Sequence, residues 1–298
     1  MTRLLLRRPW RCTLAVALLA LGLFAGCASL DEQQRKWVFQ PSKESWWGGA
    51  AGADGMQDVW IEFRSAESDS EVRLHGLWLP QSNDDAPVLL YLHGARWDVR
   101  SSSFRMRNLH ALGFAVLGID YRGFGQSTDT LPSETLAYED ARAGWDWLLQ
   151  RNPTSPHYIF GHSLGAAIAV QLASEVADEQ GLMLEGSFTS VPDVVGSFRY
   201  GWLPVGPFIT QRFDAASRID KVGSPVLVVH GSNDRLIQPA LGRALYEQAK
   251  DPKRFELVEG GSHHNTNRVG REQYRVAIRE LFGIGRGVAI SRGPIDAR

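Results

Sequence analysis

A sharp turn between a strand and a helix is the strongest constraint in this sequence. The apolar run at residues 158–160 leads into Gly-His-Ser-Leu-Gly at residues 161–165, and Ala-Ala-Ile-Ala, mostly small residues, follows at 166–169. The two glycines lack the Cβ atoms that would clash in such a turn, so the hydroxyl of Ser163 is lifted clear of a sheet. The motif alone is a weak signal in a chain with 30 glycines. The strand before it and the helix after it make it specific, and together they predict a nucleophilic serine.

Short apolar runs alternate with segments of helical length along the rest of the chain. The predicted strands are Asp58–Phe63, Val72–Leu79, Val88–Leu92, Ala115–Ile119, Tyr158–Phe160, Leu182–Gly186, Val226–His230 and Phe255–Val258. The predicted helices are Phe104–Leu112, Ser133–Gln150, Gly165–Ala177, Pro239–Gln248 and Val269–Phe282. This alternation predicts an α/β fold with a mostly parallel central sheet flanked by helices, in one domain over residues 57–282.

A serine hydroxyl needs a general base and an acid that orients that base. Asp234 follows the predicted strand Val226–His230, and His263 follows Phe255–Val258, so both stand where a strand ends. The order serine, aspartate, histidine is one of the known orders of a catalytic triad. His264 is adjacent, so the base could be either histidine, and we favour His263 because it directly follows the small residues.

An acyl-transfer site also needs N–H groups that bind the oxyanion. The predicted strand Val88–Leu92 leads into His93 and Gly94, where the chain can turn over the site. We predict that the backbone N–H groups of Ala95 and of Leu164, at a helix N-terminus, form the oxyanion hole.

A longer block, Gly-Ile-Asp-Tyr-Arg-Gly-Phe-Gly-Gln-Ser at residues 118–127, adds to this pattern. With the His-Gly turn and the Ser163 motif, it resembles the α/β-hydrolase superfamily, and in particular its Bem46-like or depalmitoylase-like serine hydrolase branch. The resemblance covers nearly all of residues 59–282. It implies the α/β-hydrolase fold, the triad named above and a reaction without a cofactor. This sequence departs from the family at Ala95, where a polar residue is common. Because the predicted donor there is a backbone N–H, we still expect the oxyanion hole to form.

The N-terminus predicts export. Arginines and no acids precede an uncharged apolar run, Thr13–Phe24, which is shorter than a membrane span of ~20 residues. We therefore predict a signal peptide over residues 1–26. The sequence Phe-Ala-Gly-Cys ending at Cys27 resembles the lipobox of bacterial lipoproteins, which implies lipidation of Cys27. The alternatives are an ordinary signal peptide cut just beyond Ala28, or a retained anchor.

The resemblance to lipoproteins also implies a cellular location. Ala28 follows Cys27 where an Asp would favour the inner membrane, so we expect a lipid-anchored protein of the bacterial cell envelope, at the outer membrane and facing the periplasm. The net charge is −1, which gives no basic footprint for nucleic acid. We expect no metal site, since no Cys or carboxylate stands at ligand spacing around the pair His263 and His264.

We expect a linker and irregular segment over residues 27–56, a disordered tail over residues 283–298 and a short cap between the sixth and seventh strands. The aromatic residues of that cap are either a rim for acyl chains or ordinary packing. The predicted function is a serine hydrolase of carboxylic esters or thioesters, acting on small or lipid-like acyl substrates. A serine peptidase, an acyltransferase and a catalytically silent periplasmic binding lipoprotein are the alternatives.

Overall fold

The computed structural model of this protein describes residues 28–46, 48–198 and 201–284. The predicted signal peptide, the predicted lipidation site Cys27 and residues 285–298 of the predicted tail lie outside the described residues. Within those residues, no helix combines the length and the hydrophobicity that crossing a membrane requires.

Eight strands form one sheet. They are β1 Gln57–Arg64, β2 Glu71–Leu79, β3 Val88–Leu92, β4 Ala115–Ile119, β5 His157–His162, β6 Glu179–Glu185, β7 Val226–Gly231 and β8 Lys253–Val258. The spatial order is β1-β2-β4-β3-β5-β6-β7-β8. The contacts of β2 with β1 and with β4 are antiparallel, and all other pairings are parallel. The predicted mostly parallel sheet is confirmed.

Nine helices accompany the sheet within the described residues. They are α1 over residues 28–39, α2 Gly49–Gly52, α3 Ser103–Ala111, α4 Glu134–Arg151, α5 Leu164–Ala173, α6 Val191–Gly196, α7 Pro239–Gln248, α8 Thr266–Val269 and α9 Arg271–Phe282. Apolar side chains of α4, α5 and α7 form one core cluster, and those of α3 and α9 form a second. In β3, Leu90 and Leu92 belong to the first cluster while Leu89 and Tyr91 belong to the second, as the twofold repeat of a strand requires. The helices therefore cover both faces of the sheet.

The N-terminal segment differs from the expected irregular linker. Residues 28–39 form α1, and the Phe39 side chain at its end is fully buried. The centroid of its ring lies 5.5 Å from the ring centroid of Phe213 and 6.4 Å from that of Phe124. Because one aromatic side chain joins this segment to the core, the helix shows little of the repeated apolar spacing that would have predicted it.

Parallel strands bring the predicted site residues to one edge. The chain leaves β3, β5, β7 and β8 at their carboxyl ends, close to Gly94, Ser163, Asp234 and His263 respectively. In open α/β sheets this edge is where ligands bind.

Candidate active site

Ser163 occupies a strained turn between β5 and α5. Its backbone angles are φ 56° and ψ −120°, a left-handed region that a non-glycine residue adopts only when the surroundings enforce it. A Cβ atom at residue 165 would lie 2.2 Å from the carbonyl oxygen of Leu92, so only glycine fits there. The Ser163 N–H donates to the carbonyl of Glu185 at 2.9 Å. Close packing on both sides therefore fixes the orientation of the serine.

The three predicted polar side chains meet at this edge. Ser163 Oγ lies 2.9 Å from His263 Nε2, and His263 Nδ1 lies 2.8 Å from Asp234 Oδ2. Both distances are those of hydrogen bonds. The first orients the hydroxyl toward the imidazole, and the second holds the ring so that Nε2 faces the serine.

Asp234 is a preorganised acceptor. Its Oδ1 accepts hydrogen bonds from the N–H groups of Leu236 at 3.0 Å and Ile237 at 2.9 Å. Burial acts to raise the pKa of Asp234, but hydrogen bonds with His230 and His263 and the interaction with the His263 charge outweigh it. The pKa of Asp234 therefore lies well below the ordinary value, and the carboxylate stays charged beside the imidazole.

His264 does not share this geometry. Its ring is exposed and stands edge-on to that of His263, with 5.4 Å between the ring centroids. His263 is the histidine that contacts Ser163, so the structure favours the first of the two candidates.

The predicted oxyanion loop passes against the nucleophile. A Cβ atom at residue 94 would lie 3.0 Å from the Cβ of Ser163. Among the described residues, no acceptor takes a hydrogen bond from the N–H of Ala95 or of Leu164. The two residues after Ala95, Arg96 and Trp97, have positive φ angles of 68° and 57°. Both N–H groups are thus available, and the loop that carries one of them is held in a strained form.

A buried ion pair behind His263 was not predicted. Arg105 on α3 donates to Glu185 Oε1 at 2.8 Å, and it also donates to the carbonyl oxygens of His263 at 3.1 Å and His264 at 3.2 Å. Tyr274 on α9 donates to the other oxygen of Glu185. Because the carbonyl of Glu185 also binds the Ser163 N–H, this one residue connects the nucleophile turn to the loop of the base.

Arg105 also contacts His162, whose pKa is lowered. Its guanidinium lies 3.0 Å from His162 Nε2. Burial lowers the pKa of His162 well below its ordinary value, and the charges of Arg105 and His263 lower it further. His162 Nε2 also lies 3.0 Å from the carbonyl oxygen of His263, so it faces both a donor and an acceptor, and a neutral imidazole fits this environment.

The block at residues 118–127 contains buried charged residues that hold the loop after β4 in place. Asp120 is fully buried and accepts from the Val99 N–H at 2.7 Å, and His75 lies 3.0 Å from its other oxygen. Arg122 is buried as well, in an ion pair with Asp140 at 2.7 Å. Asp120 and Arg122 therefore brace the loop that follows β4. His75 on β2 is fully buried, with its two ring nitrogens facing the carboxylates of Asp120 and Asp58.

The sequence of this chain is similar to those of known proteins. An uncharacterised protein of Mycobacterium tuberculosis (strain CDC 1551 / Oshkosh) is 33% identical over 270 residues, which are 90% of this chain and 93% of the relative. A model of the Hydrolase_4 family, described as serine aminopeptidase, S33, matches residues 84–213. The chain belongs to the α/β-hydrolase superfamily. The chain is a hydrolase, and the relatives described next support an esterase- or lipase-like enzyme. The finer assignment to a Bem46-like branch stays a prediction.

Two further relatives come from animals. The lysophosphatidylserine lipase ABHD12 of Macaca fascicularis is 30% identical over 229 residues, 70% of this chain and 52% of that protein. Protein ABHD12B of Homo sapiens is 34% identical over 222 residues, 67% of this chain and 60% of that protein. The chain thus spans only half to three fifths of these two relatives.

A solved structure supports the fold. An esterase of Pyrococcus furiosus superposes with a TM-score of 0.63 at 22% identity, covering 82% of this chain and 96% of the esterase. At this level of identity the superposition shows the α/β-hydrolase fold alone.

Proposed function

We propose that this hydrolase cleaves carboxylic esters or thioesters through an acyl-enzyme on Ser163. The observation that carries the proposal is the continuous contact from Ser163 Oγ to His263 Nε2 and from His263 Nδ1 to Asp234. This arrangement activates a serine that is a weak nucleophile by itself.

In the first half-reaction, Ser163 Oγ bonds to the acyl carbon while His263 Nε2 takes the hydroxyl proton. The tetrahedral oxyanion is bound by the N–H groups of Ala95 and Leu164. The bond to the alcohol or thiol then breaks, and His263 returns the proton to the leaving group. In the second half-reaction water repeats the attack, which releases the acid and restores Ser163.

We propose lipid-like acyl esters as the substrate class. The support is the lysophosphatidylserine lipase among the relatives, together with an apolar rim on the cap described below. Turnover of a lysophospholipid series beside matched soluble p-nitrophenyl esters tests this class, and hydrolysis of the soluble esters alone would contradict it.

Active-site labelling tests the nucleophile and the base. A fluorophosphonate should label the wild-type protein, and Ser163→Ala should abolish the label. His263→Ala should slow labelling by a factor of about 10³ or more, whereas the matched variant His264→Ala should retain it. Labelling that survives Ser163→Ala, or that depends on His264 in place of His263, would contradict the proposal.

We propose further that the protein is lipid-anchored through Cys27 in the cell envelope, at the outer membrane and facing the periplasm. The sequence around Cys27 supports this part. Mass spectrometry of the N-terminal peptide from a bacterial host should find a lipid-modified Cys27, and Cys27→Ala should prevent the modification. An unmodified N-terminus produced by cleavage elsewhere would contradict it.

A serine peptidase is the second candidate, favoured by the description of the family whose model matches residues 84–213. The same triad can attack an amide. An aminopeptidase substrate and an ester with the same acyl group, measured side by side, separate the two functions. Faster turnover of the amide would favour the peptidase.

A further inference from the structure

The cap exposes large apolar side chains. Among its described residues, Trp202 is 78% exposed and Phe208 is 67% exposed, and Leu203 is 42% exposed. Ordinary packing, one of the two alternatives from the sequence, does not account for side chains so open to solvent. Exposed apolar side chains clustered within one short segment are a feature of interaction surfaces.

Helix α1 lies directly beside this part of the cap. The Gln34 side chain donates to the Phe208 carbonyl at 2.8 Å and accepts from the Thr210 N–H at 2.8 Å. Leu30 and Trp37 precede and follow Gln34 by four and three residues, so they share its helix face. They are 46% and 56% exposed. The helix therefore extends the apolar surface of the cap.

The same helix reaches the predicted oxyanion loop. The carbonyl of Phe39, at the end of α1, accepts from the Arg96 N–H at 2.9 Å. Arg96 directly follows Ala95, and the neighbouring Trp97 is 39% exposed. Helix α1 thus joins the cap to the loop beside the nucleophile, and we call the surface formed by these three parts the entrance of the site.

We infer that this entrance docks onto the surface of a lipid bilayer. The docking surface, called here the apolar entrance surface, consists of Leu30, Trp37, Trp202, Leu203 and Phe208. The inference deepens the proposed function, since it rests on a lipid-like substrate that resides in the membrane. Aromatic side chains with an exposed apolar body suit the bilayer interface.

The sequence that precedes the described residues argues for a bilayer as the partner. The apolar run Thr13–Phe24 and Cys27 immediately precede α1, so either a lipid on Cys27 or a retained anchor would bring this helix to the membrane. Arg96 and Arg212 are both exposed, and neither has a carboxylate partner within the described residues. Their charges at the entrance suit anionic headgroups.

Vesicle binding without the anchor tests the inference. The chain from Ala28 onward contains every residue that the structure describes, and its circular dichroism is compared with that of the full chain. It should co-sediment with vesicles of phosphatidylethanolamine and phosphatidylglycerol at three to one, with a blue shift of tryptophan emission. The double variants Trp202→Ser/Phe208→Ser and Leu30→Ser/Trp37→Ser should each weaken partitioning by at least about tenfold.

Leu257→Ser is the matched control, because Leu257 is 38% exposed on strand β8 at the far edge of the sheet. It should bind vesicles like the wild type. Leu257→Ser and Leu30→Ser/Trp37→Ser should hydrolyse p-nitrophenyl acetate within a factor of two of the wild type, since none of these side chains belongs to the cap.

Three outcomes would overturn the inference. The first is wild-type vesicle binding by both double variants, and the second is no binding by the unsubstituted chain. The third is a concentration-dependent dimer, abolished by the double variants without any vesicle binding, which would assign the surface to a second copy. Failure of the proposed function is distinguishable, because the unsubstituted chain would then fail to hydrolyse the soluble acetate while it still bound vesicles.

Discussion

The buried ion pair of Arg105 and Glu185 should be needed both for stability and for the position of the catalytic base. The Arg105 and Glu185 side chains are 5% and 1% exposed. Arg105→Met leaves the Glu185 charge buried without its partner, a change that costs about 3–5 kcal/mol of unfolding free energy. For a domain of this size, the melting temperature should fall by roughly 6–20 °C.

A second substitution separates stability from position. The double variant Arg105→Met/Glu185→Gln removes the unpaired charge and keeps an acceptor for the Tyr274 hydroxyl, so most of the lost stability should return. Activity should not return, because the carbonyl oxygens of His263 and His264 still lack their donor. A displacement of the base by about 1 Å is expected to reduce kcat about 10²-fold in both variants.

Thermal and urea unfolding followed by circular dichroism measures the stability, and hydrolysis of p-nitrophenyl acetate below the unfolding temperature measures kcat. Tyr274→Phe, which keeps the ion pair, should retain wild-type kcat within a few-fold. The reasoning is refuted if the double variant recovers kcat together with stability, or if Arg105→Met unfolds like the wild type.

Three further substitutions probe the site. Gly94→Ala places a Cβ atom 3.0 Å from the Cβ of Ser163 and should lower kcat about 10²-fold. Gly223→Ala is the control, because its Cβ meets no atom within 4 Å and kcat should not change. Steady-state kinetics on both variants measure the difference. Asp234→Asn should reduce kcat by about 10³–10⁴-fold with an unchanged fold, because the His263 ring loses its charged partner; kcat within tenfold of the wild type would contradict it. Because the pKa of His162 is lowered in the folded state, stability is fully present above its unfolded pKa of about 6.5 and declines as the pH falls toward the folded pKa. His162→Gln should therefore flatten the loss of unfolding free energy as the pH falls below about 6.5, by at most the roughly 1.4 kcal/mol per pH unit that one proton contributes, and an unchanged slope would count against a buried neutral His162.

The sheet could be predicted because buried parallel strands are continuous apolar runs. The bounds of β3 and β4 agree with the sequence prediction, and the other six strands differ by a few residues at their ends. The three site residues could be predicted because each lies in the loop or turn at the end of such a run. Parallel strands then bring their carboxyl ends to one edge without any further information.

The supporting contacts could not be predicted in the same way. Arg105 and Glu185 are separated by 80 residues, and a lone arginine in a helical segment shows no sign of being buried. His75 lies on a strand of mixed composition, and the carboxylates that face it come from other strands. Such polar contacts depend on tertiary packing, which local periodicity does not encode.

Helix α1 illustrates a third kind of difference. Its contacts with the cap use polar side chains such as Gln34 and Asp31, and its single large buried residue is Phe39. A helix that joins two loops by hydrogen bonds has no continuous apolar face. The sequence therefore indicated an irregular segment where the structure has an ordered part of the entrance.

Trapping the acyl-enzyme tests the central claim most directly. The protein is mixed with excess p-nitrophenyl butyrate, quenched in acid within the first turnovers, and digested for mass spectrometry. The proposed mechanism predicts a burst of p-nitrophenol and a butyryl group on the peptide that contains Ser163, with neither in His263→Ala. Rapid hydrolysis without a butyryl adduct on Ser163, or an adduct on another residue that accounts for the burst, would contradict it.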